Sequence, residues 1–407
     1  MKKAWQRAVG LLSTHEKVVA VSIATALVMT GQGVVGPVLP IFARQFGVSV
    51  AAVGVTVAAF GLARLLLNMP LGLLSDRWGR RFLLVGGPLV VSISMLGAGV
   101  AASITSLTIW RFVSGAGSAM YMTGALVYLA DVSTAANRGR LIGFNQGALL
   151  FGQSIGPGLG GLIAEQFGIR APFFFIAGST ALASLYSFVR LEETRPERVV
   201  ETEPTAGTKT SSAWRRLLTS PIFMVVALVN FAVFFSRATS RNTLMPLVGV
   251  DVYGLSLGEI GAVLTVMALI NLAMLPSASL VSDRHGRVTA IAPSLVGTAV
   301  ALGVLALAGN VTGFLVGAGI LALATSLLGP APAAFAADVV PAEIRGFSLG
   351  LFRTAGDLGL LVGPPLLGAI ADVGGYGWAF GANALVVAVV AVVFLVVVGR
   401  DRRGRGL

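Results

Sequence analysis

Apolar residues run along this chain in blocks of about twenty or more, broken by short polar connectors. Blocks long enough to cross ~30 Å of hydrocarbon at ~1.5 Å of helical rise per residue lie near 18–42, 50–72, 82–102, 105–130, 140–164, 170–190, 221–246, 257–279, 288–308, 312–337, 346–371 and 377–399. The pattern predicts twelve transmembrane helices. The longest polar stretch, from Arg190 to Ser220, carries Glu192, Glu193, Glu197 and Lys209 among its charges and divides the spans six and six. The expected architecture is an all-α membrane protein with a six-helix bundle over 1–190, a disordered cytoplasmic linker over 191–220 and a second six-helix bundle over 221–407. The opening MKKAWQRAVGLLSTHEK reads either as a short amphipathic cytoplasmic segment leading into span one or as a frayed tail, and it carries no cleavable signal.

Composition removes the soluble alternative. Hydrophobic residues make up 56% of the 407, charged residues 11%, and a chain so apolar needs lipid around it. The net charge of +12 would point to nucleic acid in a soluble protein, but here the basic residues sit in the connectors and report topology. With both termini in the cytoplasm, 22 of the 29 Lys and Arg fall in cytoplasmic segments, two outside (Arg44 and Arg170) and five within spans. That bias orients the chain in a bacterial-type inner membrane, with no nucleic-acid partner. Cysteine is absent and only His15 and His285 are present, so neither a thiolate nor a histidine-rich metal site is expected, and no cofactor is implied. The 52 glycines suit helices that pack closely in lipid.

The two halves repeat. Adding 207 carries Ser75, Asp76, Arg77, Gly79 and Arg80 onto Ser282, Asp283, Arg284, Gly286 and Arg287. The same shift carries Asp131, Arg138, Gly139 and Gly143 onto Asp338, Arg345, Gly346 and Gly350. It also carries Gly152, Gly156, Pro157, Gly161 and Glu165 onto Gly359, Gly363, Pro364, Gly368 and Asp372. One constant offset over three separate segments argues for duplication of a six-span unit.

Four segments carry chemistry. GLLSDRWGRR, Gly72 to Arg81, joins spans two and three, and its second copy is SLVSDRHGR, Ser279 to Arg287. Arg111 stands in IWRFVSGAGSA of span four, Asp131 ends that span, and GQSIGPGLGG runs from Gly152 to Gly161 in span five. In these segments, in this order, the chain resembles the major facilitator superfamily, and the span-five segment is similar to that of its drug–proton antiporter branch. Ser279 departs from the leading Gly of the loop motif. The resemblance covers essentially the whole chain and implies twelve helices in two pseudo-symmetric bundles, small-molecule and proton partners, and a monomer.

Physical roles follow for these residues. Gly72 permits helix contact, while Asp76, Arg77, Arg80 and Asp131, with Asp283, Arg284, Arg287 and Asp338 in the second copy, can form charge networks that hold one conformation and break in another. The alternative is a positive-inside anchor with turn residues. In span five, Gly152, Gly156 and Gly160 recur every fourth residue, Gly161 follows, and Pro157 removes a backbone hydrogen bond, so a close-packed, bendable helix is expected. Plain helix packing and an antiporter-specific role both fit that pattern.

Ionised groups at mid-membrane cost at least ~2.5 kcal/mol on insertion scales and so should face a cavity or a partner. Arg64, Arg111, Arg237, Arg241 and Arg353 are deep cations, and Asp357 is the deep acid available to carry a proton. Arg353 lies one helical turn before Asp357. Burial and that arginine act on the carboxyl proton in opposite senses, so a change of hydration or pairing can release or bind it. A permanent structural ion pair is the competing reading. Arg111 is a further candidate for proton coupling, and Gln32, Arg64, Asn68, Gln146, Gln153, Asn230, Arg237, Arg241 and Asn271 are the expected lining of a substrate cavity. The excess of deep cations tilts the expected substrate toward an anion or zwitterion.

No lysine completes a phosphate-binding GxxxxGK[ST] loop, so the chain is not expected to hydrolyse ATP, and no nucleophile constellation implies an enzyme. The expected function is secondary active transport, specifically proton-coupled, multidrug-type efflux of small amphipathic compounds by alternating access. Uptake of a metabolite or movement of a lipid-linked substrate is the alternative within transport, and a non-transporting membrane sensor the alternative outside it.

Overall fold

The computed structural model describes residues 2–134, 137–194, 217, 219–329, 331–340 and 345–404. Among these, twelve helices are long and apolar enough to cross a membrane: Glu16–Arg44, Val50–Asn68, Arg80–Gly99, Ile104–Asp131, Arg138–Phe167, Ala171–Arg190, Pro221–Asp251, Leu257–His285, Arg287–Leu307, Val311–Asp338, Ser348–Gly374 and Tyr376–Asp401. They are called spans one to twelve below. Each coincides with an apolar block of the sequence. The helix of span one begins at Lys2 and that of span two runs on to Trp78. Most of the linker expected over 191–220 lies outside the described residues.

Two interruptions were not visible in the hydropathy. Span seven contains a π-helical segment, Arg237–Leu244, where the N–H of Met245 donates to the carbonyl of Ser240, five residues back. Span ten is divided after Leu328, where Gly329 has a positive φ of 38°.

The described helices group into two compact units. One draws on Met1–Phe46, Ala59–Arg198 and Ser256–Thr265, the other on Gly47–Ala58, Val199–Leu255 and Val266–Leu407. The starts of spans two and eight therefore pack with helices from the other half of the sequence.

Within the first unit, glycines set how closely helices approach. A Cβ on Gly152, Gly156 or Gly160 would lie 2.5, 2.5 and 2.2 Å from backbone atoms of Ala26, Gly33 and Val34, so this stripe of span five is pressed against span one. The other face of span five meets the start of span eight: a Cβ on Gly161 would lie 2.3 Å from the Leu257 carbonyl, and one on Gly261 2.6 Å from the Pro157 carbonyl. The core shared by spans one, three, four and five holds Met29, Leu84, Tyr121, Tyr128 and Leu141. Inside it, Thr25 donates to Asn145 at 2.8 Å, and its hydroxyl lies 2.9 Å from that of Tyr121, which donates to the Val21 carbonyl at 3.0 Å. Spans one, four and five are thereby tied by a buried polar network.

The second unit repeats the arrangement. Cβ atoms on Gly359 and Gly363 would lie 2.3 Å from the Phe231 carbonyl and 2.6 Å from the Thr239 hydroxyl of span seven. Span eleven also meets the start of span two, where a Cβ on Gly54 would lie 2.3 Å from the Pro364 carbonyl and one on Gly368 2.7 Å from that of Val50. Gly54 and Gly261 are related by the same offset of 207, as are Gly161 and Gly368. Large apolar side chains such as Val389, Val392, Leu395 and Val396 of span twelve stand exposed, the surface expected of a helix that faces lipid.

Candidate transport path and charge clusters

At the end of the first unit where span three begins, Gly79 adopts φ 95°, a conformation open to glycine, and turns the chain so that Arg80 points back. Arg80 Nε donates to Asp131 Oδ2 at 2.9 Å, with the two side chains 8% and 21% exposed, and Nη1 donates to the Ser75 carbonyl at 3.1 Å. Two residues of the linker complete the cluster. The carboxylate of Glu193 accepts from the N–H of Arg80 at 2.9 Å and of Arg81 at 3.1 Å, and Thr194 Oγ1 donates to Asp131 at 3.1 Å. An acid at a helix N-terminus satisfies donors that the helix leaves open. Arg77 is exposed, a Cβ on Gly72 would meet nothing within 4 Å, and the side chain of Asp76 lies outside the described residues.

The second unit holds the matching cluster. Arg287 Nε donates to Asp338 at 3.1 Å, and Nη1 to the Ser282 hydroxyl at 2.9 Å and to Asp283. Both arginine–aspartate pairs join residues 51 apart. The second is more open, its side chains 27% and 56% exposed, and Arg284 is exposed.

Among the deep charges, Arg111 is buried with its guanidinium carbon 4.8 Å from the Phe60 ring centroid, and its Nε has no hydrogen-bond partner among the described residues. Ser114 and Ser118 follow on that helix, and Gln32 of span one donates to Ser118 Oγ at 2.6 Å. Arg64 and Asn68 are half-buried. In the second unit Arg237 is exposed and Arg241 half-buried on the π-helical segment, while Arg353 is exposed and Asp357 is 4% exposed. Asn230 donates to the Phe352 carbonyl at 2.7 Å, and Asn271 Oδ1 accepts from Thr325 at 3.2 Å.

Of the amides chosen from sequence in span five, Gln153 lies 3.8 Å from the Met29 sulfur and Gln146 is exposed. The buried amide in that turn is the neighbouring Asn145. Asn383 of span twelve, not singled out from the sequence, is fully buried and donates to Ser240 at 2.7 Å and Ser236 at 3.3 Å. Phe60 and Thr194 carry no signal in the sequence, and Ser118 and Glu193 stand in the span-four motif and the charged linker with no role expected of either. Only the identity of a three-dimensional neighbour singles them out.

The profile of the Major Facilitator Superfamily matches residues 21–258 and 231–407. Multidrug resistance protein 1 of Bacillus subtilis is 28% identical over 347 residues, covering 84% of this chain and 86% of its own. The quinolone resistance protein NorA of Staphylococcus aureus is 25% identical over 351 residues, covering 85% and 88%. The crystal structure of a bacterial homolog of the human lysosomal transporter Spinster, inward-facing and occupied, superposes with a TM-score of 0.80 at 16% identity, over 93% of this chain and 96% of that one. With twelve apolar helices among the described residues and duplicated arginine–aspartate clusters, the chain belongs to the major facilitator superfamily and is a multi-pass membrane transporter of small molecules, not an enzyme.

Proposed function

We propose that the protein exports small amphipathic compounds in exchange for protons, by alternating access to a polar path at mid-span, as a monomer in a bacterial-type inner membrane with both termini in the cytoplasm. The observation that carries the coupling is Asp357. It is the carboxylate farthest from the ends of any described span, and it is 4% exposed. Arg353 lies one turn earlier on the same helix, and Arg111 of span four is a buried cation of the first unit. A proton is an adequate energy source, since one charge crossing 100 mV supplies ~2.3 kcal/mol. Export is favoured over uptake by the drug-resistance names of the relatives and by the resemblance of the span-five segment GQSIGPGLGG to that of the drug–proton antiporter branch. The clusters around Arg80 and Arg287 are the proposed latches, holding one conformation and parting in the other.

Reconstitution into proteoliposomes with an imposed pH gradient tests the reading. A panel of cationic, neutral and anionic aromatic compounds is expected to yield accumulation that collapses when the gradient is dissipated, with proton movement on substrate addition. Asp357→Asn is expected to abolish gradient-driven accumulation while leaving passive exchange. Accumulation indifferent to the pH gradient removes proton coupling, and coupling intact in Asp357→Asn removes that residue from it.

A further inference from the structure

We infer that Arg237 and Arg241 form the binding subsite for an anionic group, a carboxylate, sulfonate or phosphate, on an aromatic substrate. The inference rests on the transporter reading and names the class of substrate it takes.

Depth is the first argument. Span seven runs from Pro221 to Asp251, and Arg237 and Arg241 lie near its middle, where an ionised side chain is retained only with a polar surrounding. They are four residues apart within the π-helical segment and so lie on one face.

The direction of that face follows from packing. Phe235 and Thr239 meet Gly359 and Gly363 of span eleven, while Ser236 and Ser240 accept hydrogen bonds from Asn383 of span twelve. The arginines each follow a serine by one residue, so in helical order they occupy the next face round from the one that meets span twelve. The duplication shows what lies in that direction. A Cβ on Gly152 would meet Ala26 O and Thr30 N, and one on its repeat partner Gly359 would meet Phe231 O and Phe235 N, so span-one positions map onto span seven by adding 205. Arg237 then corresponds to Gln32, whose amide reaches the Ser118 hydroxyl of span four at 2.6 Å. By the repeat, the arginine face of span seven matches the polar Gln32 face of span one rather than an apolar, lipid-directed one.

Charge completes the argument. Among the described charged residues deep in the spans, the more open ones are positive: Arg237 and Arg353 are exposed, and Arg64 and Arg241 are half-buried, whereas Asp357 is 4% exposed. Guanidinium groups offer paired N–H donors that match the oxygens of an oxyanion, and two of them repel a cation. Half-buried Phe234, three residues before Arg237, supplies an aromatic ring at the same depth, packed on Gly356 of span eleven.

Binding to the purified, detergent-solubilised transporter tests this without requiring turnover. The probes are naphthalene-1-sulfonate, neutral naphthalene-1-methanol and cationic (1-naphthylmethyl)trimethylammonium, measured by equilibrium dialysis. The wild type is expected to bind the sulfonate saturably and at least tenfold more tightly than either matched probe. Arg237→Gln and Arg241→Gln are each expected to weaken sulfonate binding tenfold or more with the neutral probe unchanged, and Arg→Lys to recover part of the loss. A wild type that prefers the cationic probe overturns the proposal, whatever the variants do, as does unchanged sulfonate affinity in both Gln variants. Selective sulfonate binding combined with transport that ignores the pH gradient keeps the subsite and sinks proton-coupled export. Proton-driven export of the neutral or cationic probe with no saturable sulfonate binding does the reverse.

Discussion

The carboxylate of Asp372, at the end of span eleven, accepts hydrogen bonds from the first backbone N–H groups of span two, Val50 at 2.7 Å and Ala51 at 2.9 Å. Both partners lie in the same compact unit. Ser49 caps the same helix through Ala52, so three of its open donors are satisfied by side chains. The repeat partner of Asp372 is Glu165, which sits against Gly258 at the start of span eight, where Ser256 and Glu259 form a reciprocal capping box. Asp372→Ala leaves two N–H groups without their anion and is expected to cost about 1–2 kcal/mol. Thermal unfolding in detergent should show a lowered midpoint, with Asp372→Asn falling between it and the wild type because one acceptor remains.

The two arginine–aspartate pairs have the same geometry and different burial, which separates their energetics. A double-mutant cycle on Arg80 and Asp131 is expected to give a coupling of about 1–3 kcal/mol, since the arginine is largely buried. The cycle on Arg287 and Asp338 is expected to give under about 1 kcal/mol. Repeating both in high salt should erase the second and spare most of the first.

Glycines that look alike in the sequence differ in what surrounds them. Gly160→Ala puts a methyl 2.2 Å from the Val34 carbonyl and is expected to destabilise by about 1–3 kcal/mol, because backbone cannot give way as a side chain can. Gly147→Ala, in the same helix with nothing within 4 Å, is expected to be neutral or slightly stabilising through helix propensity. Unfolding midpoints of the two variants, compared with the wild type, check the contrast.

Glu192, beyond the end of span six, is held below the ordinary carboxylate range by its hydrogen bond from Lys17 at 2.8 Å and by the charge of that lysine. A carboxyl whose pKa is lowered on folding stabilises above its unfolded pKa, and the contribution is lost as pH falls through the lowered value. Acidification through the carboxylate range should therefore lower stability slightly, and Lys17→Gln should remove this part of the dependence. Glu192 is exposed, so added salt should weaken the effect.

Much of the architecture is written in local pattern. The hydropathy blocks place all twelve spans to within several residues at each end, because a lipid-embedded helix must be apolar over its whole length whatever it packs against. The offset of 207 survives as shared geometry: the Arg–Asp pairs, the glycine contacts of spans five and eleven, and the acids at the starts of spans two and eight all occur twice. The sequence also narrows the deep charges to five arginines and one aspartate, since ionised residues are rare enough in such blocks to stand out one by one.

What the pattern leaves open is which neighbour each polar residue meets. Asn145 rather than Gln146 enters the core, Glu193 reaches from the linker to the start of span three, and Asp372 reaches the start of span two, more than three hundred residues away in the chain. The π-helical turn that sets Arg237 and Arg241 is equally silent in hydropathy, because shifting a hydrogen bond by one residue changes no side chain. Lipid exposure is a property each residue carries alone and can be read singly. A hydrogen bond, an ion pair or a close glycine contact belongs to two positions at once, and folding alone brings those positions together.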